Sequence, residues 1–227
     1  MWSSKSGRAL FLGAALVGSL VGCGKGDKSL SARVMDAPTI RTTAEAADYL
    51  KKAELISTAP LEKADRGDVL TDNDKDNLRE AANIFDGLIA FSPAQYANYF
   101  GAGKMRFALN EYERSFNLMQ QAITLAPPPN TKPSQDVIEM VAEAHYVSSE
   151  CLVAMQRFAE AAEAARLACQ WIPTSANYVA AQASAELQLK DEDKARMLVI
   201  KALGIDPKNK RALQLAKLLE VKMPKLN

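Results

Sequence analysis

The stretch NLMQQAITLAP, residues 117–127, indicates a repeat protein because its pattern recurs along the chain. Apolar runs of the same kind end at three further prolines: NIFDGLIAFSP at Pro93, AEAARLACQWIP at Pro173 and KARMLVIKALGIDP at Pro207. The spacing from Pro93 to Pro127 is 34 residues, and the spacing from Pro173 to Pro207 is the same. Proline cannot continue a helix and restricts the residue before it. Each run therefore predicts a helix that ends at the same point of a repeated unit.

The remaining interval, from Pro127 to Pro173, is 46 residues, which is 34 plus 12. The excess has a visible place in the stretch PPPNTKPSQD, which begins at Pro127. Four prolines in ten residues predict a loop rather than a further helix. The interval is thus one more unit with an insertion at its start.

A period of 34 residues resembles the tetratricopeptide repeat (TPR), an antiparallel helix pair. In that family the residues at positions 20 and 27 of the repeat are small. When each proline is counted as position 32, position 20 is occupied by Ala81, Ser115, Ala161 and Ala195. Position 27 is occupied by Leu88, Ala122, Ala168 and Ala202, and the bulky position 24 by Phe85, Met119, Ala165 and Val199. Small residues let two helix backbones approach, and larger ones fill the space beside them.

The register predicts repeats at 62–95, 96–129, 142–175 and 176–209, with a capping helix at 210–222. The first half of repeat 62–95 is polar and contains Gly67, so the helical stretch Ala44 to Ser57 is an alternative packing partner across an irregular loop. The predicted fold is an all-α, right-handed TPR solenoid of about four helix pairs. It has an N-terminal helix and a C-terminal cap within a domain at 44–227.

The resemblance implies a concave groove lined by positions 2, 5, 9 and 12 of each first helix. The candidate partner-binding residues on these positions are Phe100, Lys104, Phe107, Glu143, Tyr146, Glu150 and Asn177. Phe100, Phe107 and Tyr146 form a candidate aromatic strip for a helix or an extended peptide. Two alternatives remain open: the rings pack between repeats, or the N-terminal helix or the tether fills the groove. The Lys and Asn clamp of chaperone-binding TPR domains is absent, because its positions hold Phe100 and Lys104.

The N-terminus predicts an export signal. Lys5 and Arg8 precede an uncharged, mostly apolar stretch at 9–22, which is shorter than the roughly 20 residues of a membrane-spanning helix. Leu20-Val21-Gly22-Cys23 then resembles the lipobox of bacterial lipoproteins. The resemblance implies a signal peptide at 1–22, lipid on Cys23 and a flexible tether at 23–43. The alternative is an ordinary secreted protein with an accidental cysteine.

These resemblances imply a membrane-anchored adaptor of the bacterial envelope. Gly24, rather than Asp, follows the cysteine, which favours the outer membrane facing the periplasm where the source has one. The expected partner is another envelope protein or peptide, in roles such as assembly of a secretin, a pilus or an outer-membrane complex. The alternative is a small-ligand or enzymatic lipoprotein with a site in the groove or in the 128–140 loop.

Composition weighs against other classes of function. Lys plus Arg is 28 and Asp plus Glu is 27, so nucleic acid is not an expected partner. The sequence has no catalytic, phosphate-binding or metal-binding motif, so we expect no enzyme activity, cofactor or metal. His145, the single histidine, falls on a packing position, and Cys151 and Cys169 are expected to be free thiols. The acidic run at 72–76 departs from a calcium loop and is better explained as the start of a helix.

Overall fold

The computed structural model of the protein describes residues 36–221, and the predicted signal peptide and Cys23 lie outside them. The described chain forms nine α-helices and no strand. The helices are α1 (Thr43–Arg66), α2 (Asp72–Phe91), α3 (Tyr96–Ala108), α4 (Tyr112–Leu125), α5 (Gln135–Ala154), α6 (Phe158–Trp171), α7 (Ala176–Gln188), α8 (Glu192–Ile205) and α9 (Lys210–Leu218). None of these helices is both long and apolar enough to cross a membrane.

The helices form antiparallel pairs that stack in chain order, as predicted for a helical TPR solenoid. Each helix packs against the next one along the chain, and odd-numbered helices also approach one another from α1 to α9. The described even-numbered helices make no such contact with one another. The stack therefore curves toward its odd-numbered helices, which line the inner face.

The turn inside each pair explains the strict register. Asn110, Gln156 and Lys190 adopt left-handed φ angles of 62°, 60° and 63° at the same repeat position. The next residue's N–H then donates to a carbonyl five residues back, as from Arg157 to Leu152 at 2.8 Å. This is the Schellman geometry that satisfies the last carbonyls of a helix. Repeating it fixes the angle at which each second helix returns.

Small residues sit where the register predicted close helix contact. All four position-20 residues, Ala81, Ser115, Ala161 and Ala195, are 0% exposed. Ser115 donates its hydroxyl to the Gly103 carbonyl at 2.8 Å, and Ser149 donates to the Ala161 carbonyl at 2.8 Å. The buried hydroxyls thus find a partner on the facing helix, as buried polar groups require.

The first pair differs from the predicted repeat at 62–95. Its first helix is α1, which covers the alternative partner Ala44 to Ser57 and continues through Pro60 to Arg66. Gly67, with φ of 78°, ends α1 in the left-handed conformation that glycine adopts without strain. The irregular loop is therefore only five residues long, 67–71, before α2.

Two further boundaries differ from the prediction. Helix α5 begins at Gln135 rather than at 142, because Val137 and Val141 are buried and extend its apolar face by almost two turns. The inserted residues are therefore partly helix, and only 126–134 form a loop, with a 3₁₀ turn at Pro129–Thr131. The capping helix α9 ends at Leu218 rather than at 222.

The predicted flexible tether at 23–43 is wrong in its last part. Ile40 is 9% exposed and joins the core between α1 and α2. A Cβ on Gly87 would lie 2.6 Å from the Pro38 carbonyl oxygen, so glycine lets the segment lie directly on α2. Thr42 caps α1 by accepting a hydrogen bond from the Glu45 N–H at 3.1 Å. Residues 38–42 are thus a packed strap.

Candidate binding groove

The inner face of the odd-numbered helices is the candidate site, and its aromatic residues are mostly buried. Phe100 is 7% exposed and Tyr146 is 4% exposed, and both belong to the core between the second and third pairs. The Tyr146 ring lies 5.2 Å from that of Tyr178 on α7. Phe107 is half-buried and meets Tyr112 edge-on at 6.0 Å. Phe100 and Tyr146 therefore pack between repeats, which is the alternative that the sequence left open.

The predicted charged residues meet in the N-terminal half of the groove. Lys104 on α3 forms an ion pair with Glu143 on α5, with Nζ and Oε1 2.8 Å apart. The Lys104 ammonium also lies 5.6 Å from the centre of the Phe100 ring. This is within the range of a cation–π contact. The structure thus brings Phe100, Lys104 and Glu143 together as one cluster.

Asp65, at the end of α1, adds a second carboxylate to that cluster. Burial raises the pKa of Asp65, and the positive charge of Lys104 partly offsets the rise. Burial would lower the pKa of Lys104, but Glu143 and Asp65 outweigh it, so that pKa is raised. Lys104 is therefore held in its charged form between two acids. The sequence missed Asp65 because the predicted first repeat assigned no groove position to α1.

The C-terminal half of the groove is closed by a longer-range contact. The Arg211 guanidinium on α9 donates to both oxygens of Glu150 on α5, at 2.8 and 2.6 Å. Helix α7 lies between these two helices, since it contacts both α5 and α9. Burial would lower the pKa of Arg211, but Glu150 outweighs it, so that pKa is raised and the guanidinium stays charged.

The last predicted groove residue, Asn177, also has a partner inside the molecule. Its side-chain oxygen accepts a hydrogen bond from Asn209 at 2.6 Å, and Asn209 caps α9 through Ala212 at 2.9 Å. Arg211, which the sequence analysis did not select, holds position 2 when the register is continued beyond 209. Continuing the count by two residues was the signal that could have found it.

The remaining candidate residues have structural explanations. His145 is partly buried, and burial lowers its pKa to about 4, so it is neutral at ordinary pH. Cys151 and Cys169 are free thiols, as predicted, and burial raises the pKa of Cys151 to about 12. Between residues 36 and 221 no cluster of His, Cys, Asp and Glu is arranged to hold a metal ion. Asp74, in the acidic run, forms a capping box with Thr71 at the start of α2.

Comparison with known proteins supports the fold. No protein-family model and no curated protein matches the chain. A solved structure titled "MamA RS-1 ArsTM double mutant" has a TM-score of 0.55 at 16% identity, over 75% of this chain and 84% of that one. A second, "YrrB: a TPR protein with an unusual peptide-binding site", has a TM-score of 0.34 at 16% identity, over 76% of this chain and 92% of that one. The chain is similar in fold to the first of these structures, and its stacked helix pairs form a TPR-type helical solenoid.

Proposed function

We propose that the protein is a non-enzymatic scaffold, anchored to a bacterial envelope membrane by lipid on Cys23, that binds another protein through its odd-helix face. The lipobox resemblance supports the anchor, and Gly24 supports the outer membrane facing the periplasm. The expected partner is an envelope protein or a segment of one, in assembly of a secretin, a pilus or an outer-membrane complex. The observation that carries the proposal is that the inner face of the odd-numbered helices presents charged side chains and is partly open to solvent.

The inner face supports binding because its N-terminal half is partly open. The Glu143 side chain is 36% exposed, although it is paired with Lys104. Ala97 and Glu62 on neighbouring odd helices are exposed. A polar partner can therefore exchange hydrogen bonds with charges that are already positioned, without first ordering them. The C-terminal half is less suited, because Glu150 and Arg211 satisfy each other there.

The test is capture of the partner by the full-length tagged protein from detergent-solubilised membranes of its native host. The double variant Lys104→Ala with Glu143→Ala removes the inner-face ion pair whose Glu143 member is open to solvent. We expect it to reduce recovery of the partner at least tenfold, since hydrogen bonds to charged groups contribute about 1.5–3 kcal/mol each. Equal recovery with this variant and the wild type would contradict the proposed site.

A matched control is available in the first helix pair. Lys52 and Glu80 form another ion pair between two helices, at 2.5 Å, but Glu80 belongs to the even-numbered α2. The variant Lys52→Ala with Glu80→Ala should leave partner recovery unchanged. A loss in both variants would indicate a general effect on the fold.

The anchor is tested separately by Cys23→Ser. A serine hydroxyl cannot accept the lipid that the lipobox directs to a cysteine thiol, so we expect the protein to leave the outer-membrane fraction and to keep its signal peptide. Fractionation and mass spectrometry of the N-terminus measure both effects. Unchanged fractionation with normal cleavage would refute lipid attachment at this residue.

A further inference from the structure

The last helix pair carries large apolar side chains on its outward surface. Met197 and Ile200 on α8 are 64% and 51% exposed. They occupy positions 22 and 25 of their repeat, and the three earlier repeats have polar residues at both positions. Those residues are Asn83 and Asp86, Asn117 and Gln120, and Glu163 and Arg166. The exposed apolar pair is therefore particular to this end of the solenoid.

Helix α9 continues this surface with lysines. Lys210, Leu213 and Lys217 stand 34 residues after Ala176, Val179 and Ala183. The three earlier residues are buried, at 7%, 0% and 0% exposed, because α8 covers that side of α7. Within residues 36–221 no helix covers the same side of α9, where Leu213 is 41% exposed. The outer side of α9 thus combines two lysines with one exposed leucine.

The two surfaces adjoin. Arg196 on α8 donates to the Leu219 carbonyl after α9 at 3.3 Å, so the helices lie side by side. A contact between the second and third repeats shows which residues meet at this point: the Gln120 side chain donates a hydrogen bond to the Ser148 hydroxyl at 3.3 Å. The equivalent residues in the last repeat are Ile200 and Ala216, and Leu213 precedes Ala216 by one helical turn. We call the resulting surface the C-terminal patch: Met197, Ile200, Lys201, Lys210, Leu213 and Lys217.

The lysines of the C-terminal patch lack acidic partners. Lys201, Lys210 and Lys217 are exposed, and they take part in no ion pair of the described residues. Residues 194–221 contain seven basic and two acidic residues, a net charge of +5. Residues 36–193 contain 14 basic and 24 acidic residues, a net charge of −10. Within residues 36–221 the charge is therefore strongly polarised, with its positive end at the C-terminal patch.

We propose that the C-terminal patch docks on an anionic lipid surface. Apolar side chains beside lysines match an interface between acyl chains and negative headgroups, because a lysine keeps its ammonium among the headgroups while its stem lies along apolar surface. Interfaces between proteins are instead depleted in lysine, of which the patch has three. They are enriched in aromatic residues and arginine, which the patch lacks, and in methionine, of which it has only Met197. Residues 36–193, which are acidic overall, are repelled by such a surface, so within the described chain the C-terminal patch is the part that approaches it.

This contact goes beyond the proposed scaffold function and does not depend on it. Together with the proposed lipid anchor, a contact at the far end of the solenoid from the strap would lay the molecule along the membrane surface. The inner face would then be presented sideways to partners in the same membrane. Neither the groove residues nor Cys23 take part in the contact.

The test is co-sedimentation of the full-length Cys23→Ser chain, which carries no lipid, with two kinds of vesicle. One contains phosphatidylcholine alone, and the other contains equal parts of phosphatidylcholine and phosphatidylglycerol. The ratio of the two affinities removes any contribution that does not depend on lipid charge, including that of the apolar segment at 9–22. We expect a strong preference for the anionic vesicles that falls steeply with added salt.

Two triple variants then locate the contact. Lys201→Gln, Lys210→Gln and Lys217→Gln together should lower the preference about a hundredfold, given the attraction of each lysine to an anionic surface. The matched control, Lys51→Gln, Lys75→Gln and Lys132→Gln, removes the same charge elsewhere and should change it little. Met197→Ser with Ile200→Ser should weaken binding to the anionic vesicles while leaving the circular dichroism spectrum and melting temperature unchanged.

Several results would overturn the proposal. No preference for anionic vesicles would do so, as would equal losses in the two triple variants. Self-association in the absence of vesicles that the Met197→Ser, Ile200→Ser variant abolishes would identify a second copy of the chain as the occupant. Failure of any of these arms leaves partner capture by the inner face unaffected, so the two proposals fail independently.

Discussion

Gly101 and Gly204 both lie inside helices, but their surroundings differ completely. A Cβ on Gly101 would lie 2.5 Å from the Phe85 ring, whose residue is only 2% exposed. A Cβ on Gly204 would meet nothing within 4 Å. The glycine at 101 therefore permits close helix approach, whereas the one at 204 has no packing role.

These surroundings predict opposite effects of the same substitution. Gly101→Ala should lower the free energy of unfolding by about 1–3 kcal/mol, because the buried ring has no space to move. Gly204→Ala should raise it by roughly 0.5–1 kcal/mol, because alanine favours the helix. Urea denaturation measures both. Equal shifts in the same direction would contradict the packing described around Phe85.

At single residues, the sequence predicted packing better than binding. The small residues at position 20 could be identified because a repeated spacing marks every close helix contact. The sequence could not show whether a ring faces the groove or a neighbouring repeat, since Phe100 and Tyr146 occupy positions that serve both roles. Partners of charged groups were also beyond reach, because Glu150 and Arg211 are 61 residues apart.

Among the elements, the start of α2 shows how one side chain fixes a helix boundary. The Asp74 carboxylate accepts a hydrogen bond from the Thr71 N–H at 2.9 Å. It also forms an ion pair with the Lys63 ammonium on α1, at 2.8 Å. The Lys63 and Thr71 hydrogen bonds lower the pKa of Asp74 to about 2. A lowered pKa in the folded state means that the stabilisation is present above the unfolded value near 3.8 and is lost as the pH falls toward 2.

We therefore expect Asp74→Asn to destabilise the protein at pH 6 and to do so progressively less between pH 4 and pH 2. Urea unfolding of wild type and variant across this range gives the difference at each pH. The conservative change keeps an oxygen that can accept from the Thr71 N–H, so the measured difference reports the charge. A difference that stays constant from pH 6 to pH 2 would exclude this role of the carboxylate.

Element boundaries were predictable where proline and the repeat register agree. Helices α2, α4, α6 and α8 each end two residues before the prolines that defined the period. The end of α1 and the start of α5 could not be predicted. Pro60 interrupts the pattern of α1, and a proline-rich insertion precedes α5. In both cases tertiary burial extends the helix beyond what local sequence favours.

Across the whole molecule, the Glu150–Arg211 pair couples repeats that are not neighbours. Solenoids are usually held by contacts between adjacent units, so their unfolding loses cooperativity with length. Here α5 and α9 are joined across α7, with the Glu150 and Arg211 side chains 11% and 22% exposed. Removing one member leaves the other charge buried without its partner.

Arg211→Met should therefore destabilise the protein by about 3 kcal/mol and release α9 before the rest unfolds. Hydrogen exchange of α9 and the denaturant dependence of unfolding measure the two effects. Glu150→Leu combined with Arg211→Met should recover part of the loss, because no unpaired charge remains. Additive losses in the double variant would show that the two residues act separately.

We propose that the inner face of the odd-numbered helices binds a partner protein. Photo-crosslinking in intact cells tests it most directly, with a photoreactive amino acid at Ala97 on the inner face or at Glu163 on the outward face of α6. Both positions are exposed, and the second serves as the matched control. We predict a defined crosslinked partner from position 97 and none of that identity from position 163. The same partner captured equally from both positions, or from position 163 alone, would contradict the account.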